Sequence, residues 1–121
     1  MEEFKIERRS TPLADIVRIT GDADLYVAPE LRRVFDDIAD DVPKAAVVDM
    51  TPLTFLDSTA LGALLAFRRR LESSQVPLLL VCDNRAVLRA FEITALDRRF
   101  QIVPTLSDAL RTVLDAVPAG V

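Results

Sequence analysis

The chain has no histidine, and that absence excludes more than any residue it contains. Ser–His and Cys–His catalysis need an imidazole base, and the commonest metal ligand goes with it. A lone cysteine, Cys82, supplies neither a disulfide framework nor a cysteine-based metal site. It follows the apolar run Leu78-Leu79-Leu80-Val81 and reads as a small buried hydrophobe. Three glycines leave no glycine-rich loop to cradle a nucleotide. The only lysines are Lys5 and Lys44, and neither sits in a catalytic motif. No cofactor and no metal are expected.

Long apolar runs are also missing. Nothing approaches the roughly 20 residues of a membrane span. Met1 to Ser10 is mostly charged, so no signal peptide is expected, and a reducing cytoplasm is the expected compartment. The formal net charge is −4, whereas a nucleic-acid partner calls for a basic face. Arg68-Arg69-Arg70 is the one compact basic run. Three successive helical positions point three ways, so the run reads as solvated surface.

What is present is an ordinary globular composition, half apolar and 28% charged. A length of 121 residues fits one domain over 1–121, with an ordered core of about 4–117. Met1 to Glu3 and Pro118 to Val121 are expected to fray.

Strands alternate with helices along the chain. Phe4, Ile6 and Arg8 alternate with Lys5 and Glu7 in a first short strand. Asp15 to Thr20 is rich in β-branched residues and is expected to stop at Gly21. Gly21 to Asp24 reads as a loop, and Pro29 suits the first turn of a helix carrying Leu31, Val34, Phe35 and Ile38. Ala45 to Met50 is a continuous apolar run, the pattern of a strand buried on both faces. Thr51 to Asp57 is read as a loop, followed by a long helix from near Ser58 to about Ser74. Pro77 to Cys82 is another buried strand. Asn84 can cap a helix with Val87, Leu88 and Phe91. Phe100 to Val103 is the last strand. Thr105 or Ser107 can cap a final helix whose face is Leu106, Leu110, Val113, Leu114 and Val117. The expected fold is α/β: a mixed, mostly parallel sheet of four to five strands packed with four helices, the first strand antiparallel at or near an edge.

The segment Phe55 to Gly62 carries the functional signal. Ser58 stands where an N-cap or first-turn residue belongs, and Asp57 is a capping type as well. Taken alone, capping explains either residue. At 100° per residue, Ala60, Leu64, Phe67 and Leu71 form a core stripe. Ser58, Gly62, Leu65, Arg69 and Ser73 fall opposite, with Leu61 and Glu72 on the flank. Glycine inside a helix costs about 1 kcal/mol relative to alanine, so Gly62 is an unusual choice for structure alone. A helix-start serine, a flat glycine and outward leucines make a candidate docking surface. On this reading Leu65 is more than one-third exposed; the bland alternative is that another element covers Leu61 and Leu65. A phosphate on Ser58 would add roughly −1.5 to −2 charges. Free backbone N–H groups at the helix start would tolerate it, so its effect would fall on a docked partner.

Asp57-Ser58-Thr59-Ala60-Leu61-Gly62 resembles the Asp-Ser-(Ser/Thr)-Gly-(Leu/Ile)-Gly signature of STAS-domain anti-sigma factor antagonists. The resemblance covers nearly the whole chain. Gly21-Asp22-Ala23-Asp24 resembles that family's Gly-Glu-Leu-Asp loop, Val48 through Phe55 its third strand and approach loop, and Ile93-Thr94-Ala95-Leu96-Asp97 the stretch before its last strand. Ala60 and Ala95 stand where glycine is usual, and Asp22 where glutamate is usual.

The resemblance implies a small sheet backed by helices and a non-enzymatic, cytoplasmic switch in transcription regulation, of the partner-switching kind found in stress responses. An anti-sigma factor serine kinase would phosphorylate Ser58 and a serine phosphatase would reverse it. The unphosphorylated form would bind the kinase and release the sigma factor. Asp22, Asp24, Asp57, Ser58, Thr59, Leu61, Gly62, Leu65 and Arg69 would form the partner surface. Oligomeric state is left open, with a monomer the expectation. The same fold also serves as a subunit of lipid-transport ATPase complexes and as a stressosome scaffold; the intact Asp-Ser-Thr favours the phosphoswitch. An enzyme using Ser58 as nucleophile would lack a base.

Overall fold

The computed structural model describes residues 3–116. The chain forms β1 (Lys5–Ser10), β2 (Asp15–Ala23), α1 (Ala28–Asp41), β3 (Ala46–Asp49), β4 (Leu53–Leu56), α2 (Ser58–Ser73), β5 (Leu78–Val81), α3 (Arg85–Ile93), a 3₁₀ turn (Leu96–Arg98), β6 (Gln101–Val103) and α4 (Leu106–Ala116).

The four buried residues of β3, three of them apolar, and their neighbours in β5 explain the layering. Every β3 residue is buried, as a strand covered on both faces must be. The sheet order is β1-β2-β3-β5-β6, with β4 pairing β2 off this path. β1 is the antiparallel edge, pairing Lys5 with Thr20 through Ser10 with Asp15. The other pairings are parallel. Alternate residues serve opposite faces. Val17, Ile19, Ala46, Val48 and Leu80 join the main core with Leu31, Phe35 and Ile38 of α1, Leu64 and Phe67 of α2, and Val87 and Phe91 of α3. Ile16, Val47, Leu79 and Val81 face the other way and meet Ala109 and Val113 of α4.

Two expectations change. β2 does not stop at Gly21. Gly21 sits at φ 88, and the register shifts between Gly21 and Asp22. The glycine supplies a positive-φ bulge, and the strand continues beyond it. Nor is Thr51 to Asp57 a loop throughout, because Leu53–Leu56 pairs with Gly21 to Ala23. β3 ends at Asp49 while β2 runs on, so β4 takes the vacated place beside β2. The sheet therefore has six strands, one more than the upper expectation.

The remaining elements follow their local signals. Pro29 lies in the first turn of α1. The Asn84 carboxamide accepts from Ala86 N–H at 2.9 Å and caps α3. Thr105 Oγ1 accepts from Asp108 N–H at 3.1 Å at the start of α4. The buried face of α4 centres on Ala109 and Val113, so Leu114 of the expected face is exposed, and Val117 lies outside the described residues. Cys82 is buried, and burial pushes its thiol pKa up. That makes it a packing residue with little thiolate character. The frayed ends expected at Met1, Glu2 and Pro118 to Val121 also fall outside the described residues.

Candidate functional site

Pairing between β2 and β4 builds the site. Asp22 lies opposite Phe55 and Ala23 opposite Leu56. Asp57 N–H then donates to the Ala23 carbonyl at 3.0 Å. This fixes the start of α2 beside the turn that follows β2. Three of the carboxylates singled out in the sequence, those of Asp22, Asp24 and Asp57, are therefore carried to the same end of the sheet as Ser58.

Each carboxylate has local work. Asp57 is the N-cap of α2, in extended backbone geometry, and its Oδ1 accepts from Ala60 N–H at 3.0 Å. Asp24 accepts from Tyr26 N–H at 3.0 Å and Val27 N–H at 3.3 Å, organising the entry to α1. Asp22 Oδ1 accepts from the Thr54 hydroxyl at 2.6 Å, tying β2 to β4.

Ser58 is thereby left unused. It occupies the first helical position, is exposed, and its hydroxyl makes no hydrogen bond among the described residues. The two capping explanations open in the sequence resolve in favour of Asp57. Thr59 beside it is exposed too.

The buried stripe of α2 is wider than the wheel drew it. Ala60, Leu64, Phe67 and Leu71 are buried as expected, but so are Leu61 and Ala63. Leu61 is only 4% exposed and belongs to the core, which corrects its assignment to the partner surface. Leu65 is partly buried and packs against the same core, so it too is corrected as an outward docking leucine. The reason is packing on both flanks of α2. On one flank α1 stacks Phe35 on Phe67, with ring centroids 4.4 Å apart and planes at 7°. On the other, the flank that carries Leu61 and Leu65, the Arg68 guanidinium lies 6.0 Å from the centre of the Phe100 ring. Phe100 in turn meets Phe91 of α3 edge-on.

Gly62 is half-covered, because the Arg32 guanidinium of α1 reaches over it. A methyl group at position 62 would meet that guanidinium at 3.6 Å, an ordinary contact. The chain's own packing therefore does not demand glycine there. Arg69 is exposed and forms no ion pair among the described residues. Arg70 bridges Asp36 and Asp40 of α1, and Arg68 pairs with Glu72, so two of the three arginines are more than solvated surface.

The apolar ground near Ser58 comes from residues the wheel did not consider. Leu25 and Tyr26, in the turn after Asp24, are exposed, Tyr26 to 84%. Phe55 is 50% exposed and Ile93 is 73% exposed. Phe55, Leu56, Arg89, Ala90 and Ile93 line a shallow groove between β4 and α3. Their signal in the sequence was large apolar residues with no place in any helical or strand face, Leu25-Tyr26 above all.

Residues 5–109 match the model of the STAS domain. The anti-sigma-F factor antagonist RsfB of Mycobacterium tuberculosis is 31% identical over 98 residues, spanning 81% of this chain and 80% of that protein. The anti-sigma-B factor antagonist of Staphylococcus aureus is 29% identical over 80 residues, 66% of this chain and 74% of that one. The crystal structure of an anti-sigma factor antagonist from Mycobacterium paratuberculosis superposes with a TM-score of 0.87 at 29% identity, covering 93% of this chain and 96% of that one. No helix among the described residues is long and apolar enough to cross a membrane. The chain belongs to the STAS domain family, and among that family it is similar to the anti-sigma factor antagonists.

Proposed function

We propose that the chain is an anti-sigma factor antagonist gated by phosphorylation of Ser58. In the unphosphorylated form it binds an anti-sigma factor kinase and frees the sigma factor. The kinase transfers the γ-phosphoryl group of ATP to Ser58 Oγ: an O–P bond forms, the bond to ADP breaks, and the hydroxyl proton passes to a base on the kinase. A serine phosphatase reverses the step by hydrolysis. The chain itself performs no catalysis.

The observation that carries this reading is the idle, exposed hydroxyl of Ser58 at the first position of α2, with Asp57 doing the capping. A serine needed for the fold would have a partner. Supporting it are the acidic rim of Asp22, Asp24 and Asp57, exposed Thr59 and Arg69, the half-covered Gly62, and apolar contact area from Leu25, Tyr26 and Phe55. Phosphate at this position meets free N–H groups and the positive end of the helix dipole, so the fold accommodates it. A docked partner instead meets an added, desolvated charge in a closed contact. Such a charge costs about 3 kcal/mol or more, roughly a hundredfold in affinity.

The test is binding to the cognate anti-sigma factor by calorimetry, alongside mass spectrometry of the chain after incubation with that kinase and ATP. Ser58→Ala is expected to bind as tightly as the unmodified chain and to take no phosphate. Ser58→Glu and the phosphorylated chain are expected to bind roughly a hundredfold more weakly. Equal affinity across the series sinks the mechanism.

A further inference from the structure

We propose that Arg32 is the internal partner of phosphorylated Ser58, an inference that rests on the phosphoswitch reading above. α1 follows β2 and α2 follows β4, and these strands are parallel, so the two helices run in the same direction side by side. Phe35 stacks on Phe67, and Arg70 reaches Asp36 and Asp40, so residue 32 comes level with Leu64. Helical side chains lean toward the helix N-terminus, which carries the Arg32 guanidinium over Gly62 and toward the turn that holds Ser58. Its terminal nitrogen would lie 3.6 Å from a methyl group at position 62. Ser58 is one helical turn earlier, with about 5–6 Å between side-chain origins at that spacing. A phosphate adds a phosphorus and three oxygens beyond Oγ and closes most of that gap.

The guanidinium is available. Arg33 pairs with Asp37, Arg68 with Glu72, and Arg70 with Asp36 and Asp40. Arg32 is exposed and forms no ion pair among the described residues. Guanidinium is also the side chain best shaped for a phosphate, since it donates two parallel hydrogen bonds. Paired in this way, phosphate and guanidinium together lie across Gly62. The modified chain thus covers the ground that a partner would otherwise contact.

The experiment places phosphoserine at position 58 by genetic encoding and follows its second ionisation, ordinarily near pH 6, by phosphorus NMR. Arg32 favours the dianion, so the intact chain is expected to titrate roughly one pH unit below the Arg32→Gln variant. Arg33→Gln should leave the titration where it is. Unphosphorylated Arg32→Gln should melt with the parent chain, because the side chain is exposed. Identical titrations with and without Arg32, or an equal response to Arg33→Gln, would overturn the pairing. No kinase or binding partner enters this measurement. A failure of the phosphoswitch shows up in the calorimetry instead, so the two failures are distinguishable.

Discussion

Gly62 and Ala95 are assigned the wrong way round for stability. Gly62 stands inside α2, where alanine is the better residue by about 1 kcal/mol. Ala95 stands after α3 at φ 59, ψ 18, in the left-handed region, where glycine is the better residue. The two mismatches differ in what surrounds them. Ala95 is held by local bonding, its N–H donating to the Glu92 carbonyl at 3.0 Å, and the turn simply tolerates an alanine. Gly62 has no such account, since a methyl group there would make only an ordinary contact. A cost with no return inside the chain points outside it, to something that approaches α2 beside Ser58. The resemblance to a glycine-bearing signature at both positions is met at one and broken at the other. It is broken where the structure alone was at stake.

The opposite side of α2 sets the scale for this contrast. Phe67 is 2% exposed and stacked on Phe35, so Phe67→Ala opens a cavity between α1 and α2. We expect it to cost about 3–5 kcal/mol, read as a shift in the urea midpoint. A loss below about 1 kcal/mol would mean that the stripe is not what fixes α2, and the contrast between its two sides would fail.

Gly62→Ala is the sharper test. It is expected to raise the stability of the free chain by about 1 kcal/mol, or about 3–5 °C in melting temperature. It is also expected to weaken binding to the anti-sigma factor about tenfold or more, which at about 1.4 kcal/mol per decade is a modest clash. Stability and binding then move in opposite directions. If binding is unchanged while stability rises, Gly62 has no role at the partner surface.

Periodicity revealed most of the fold, because most elements bury a full face. The runs Ala45 to Met50 and Pro77 to Cys82 have the length and continuous apolar pattern of strands covered on both sides. The 3.6-residue spacing of Leu31, Phe35 and Ile38 fixed α1. What escaped detection has a physical reason. β4 buries only Leu53 and Leu56 with Thr54 and Phe55 exposed between them, which matches neither period. Gly21 reads as a terminator because a bulge and a stop use the same residue. Leu61 and Leu65 were misplaced because a wheel drawn for one helix cannot see a second flank, here lined by Phe100. At the site, Asp57 and Ser58 were legible as a pair, but only the Asp57–Ala60 hydrogen bond decides which of them caps. Leu25 and Tyr26 were visible as apolar residues without a face, a signal whose meaning depends on the tertiary pairing of β2 with β4.

Ala95→Gly completes the exchange and carries the smallest expected effect. Left-handed backbone costs a non-glycine residue about 1–2 kcal/mol, and glycine removes that cost. Glycine also widens the unfolded ensemble, which takes back about 0.4–1 kcal/mol. The balance favours the variant by about 0.8 kcal/mol, the difference of those two ranges taken at their centres. The midpoint of urea unfolding should rise with an unchanged slope, since no surface is gained or lost on folding. Affinity for the anti-sigma factor should stay where it was. Destabilisation would show that the alanine methyl packs usefully in the turn, and the symmetry drawn between the two positions would then hold only for Gly62.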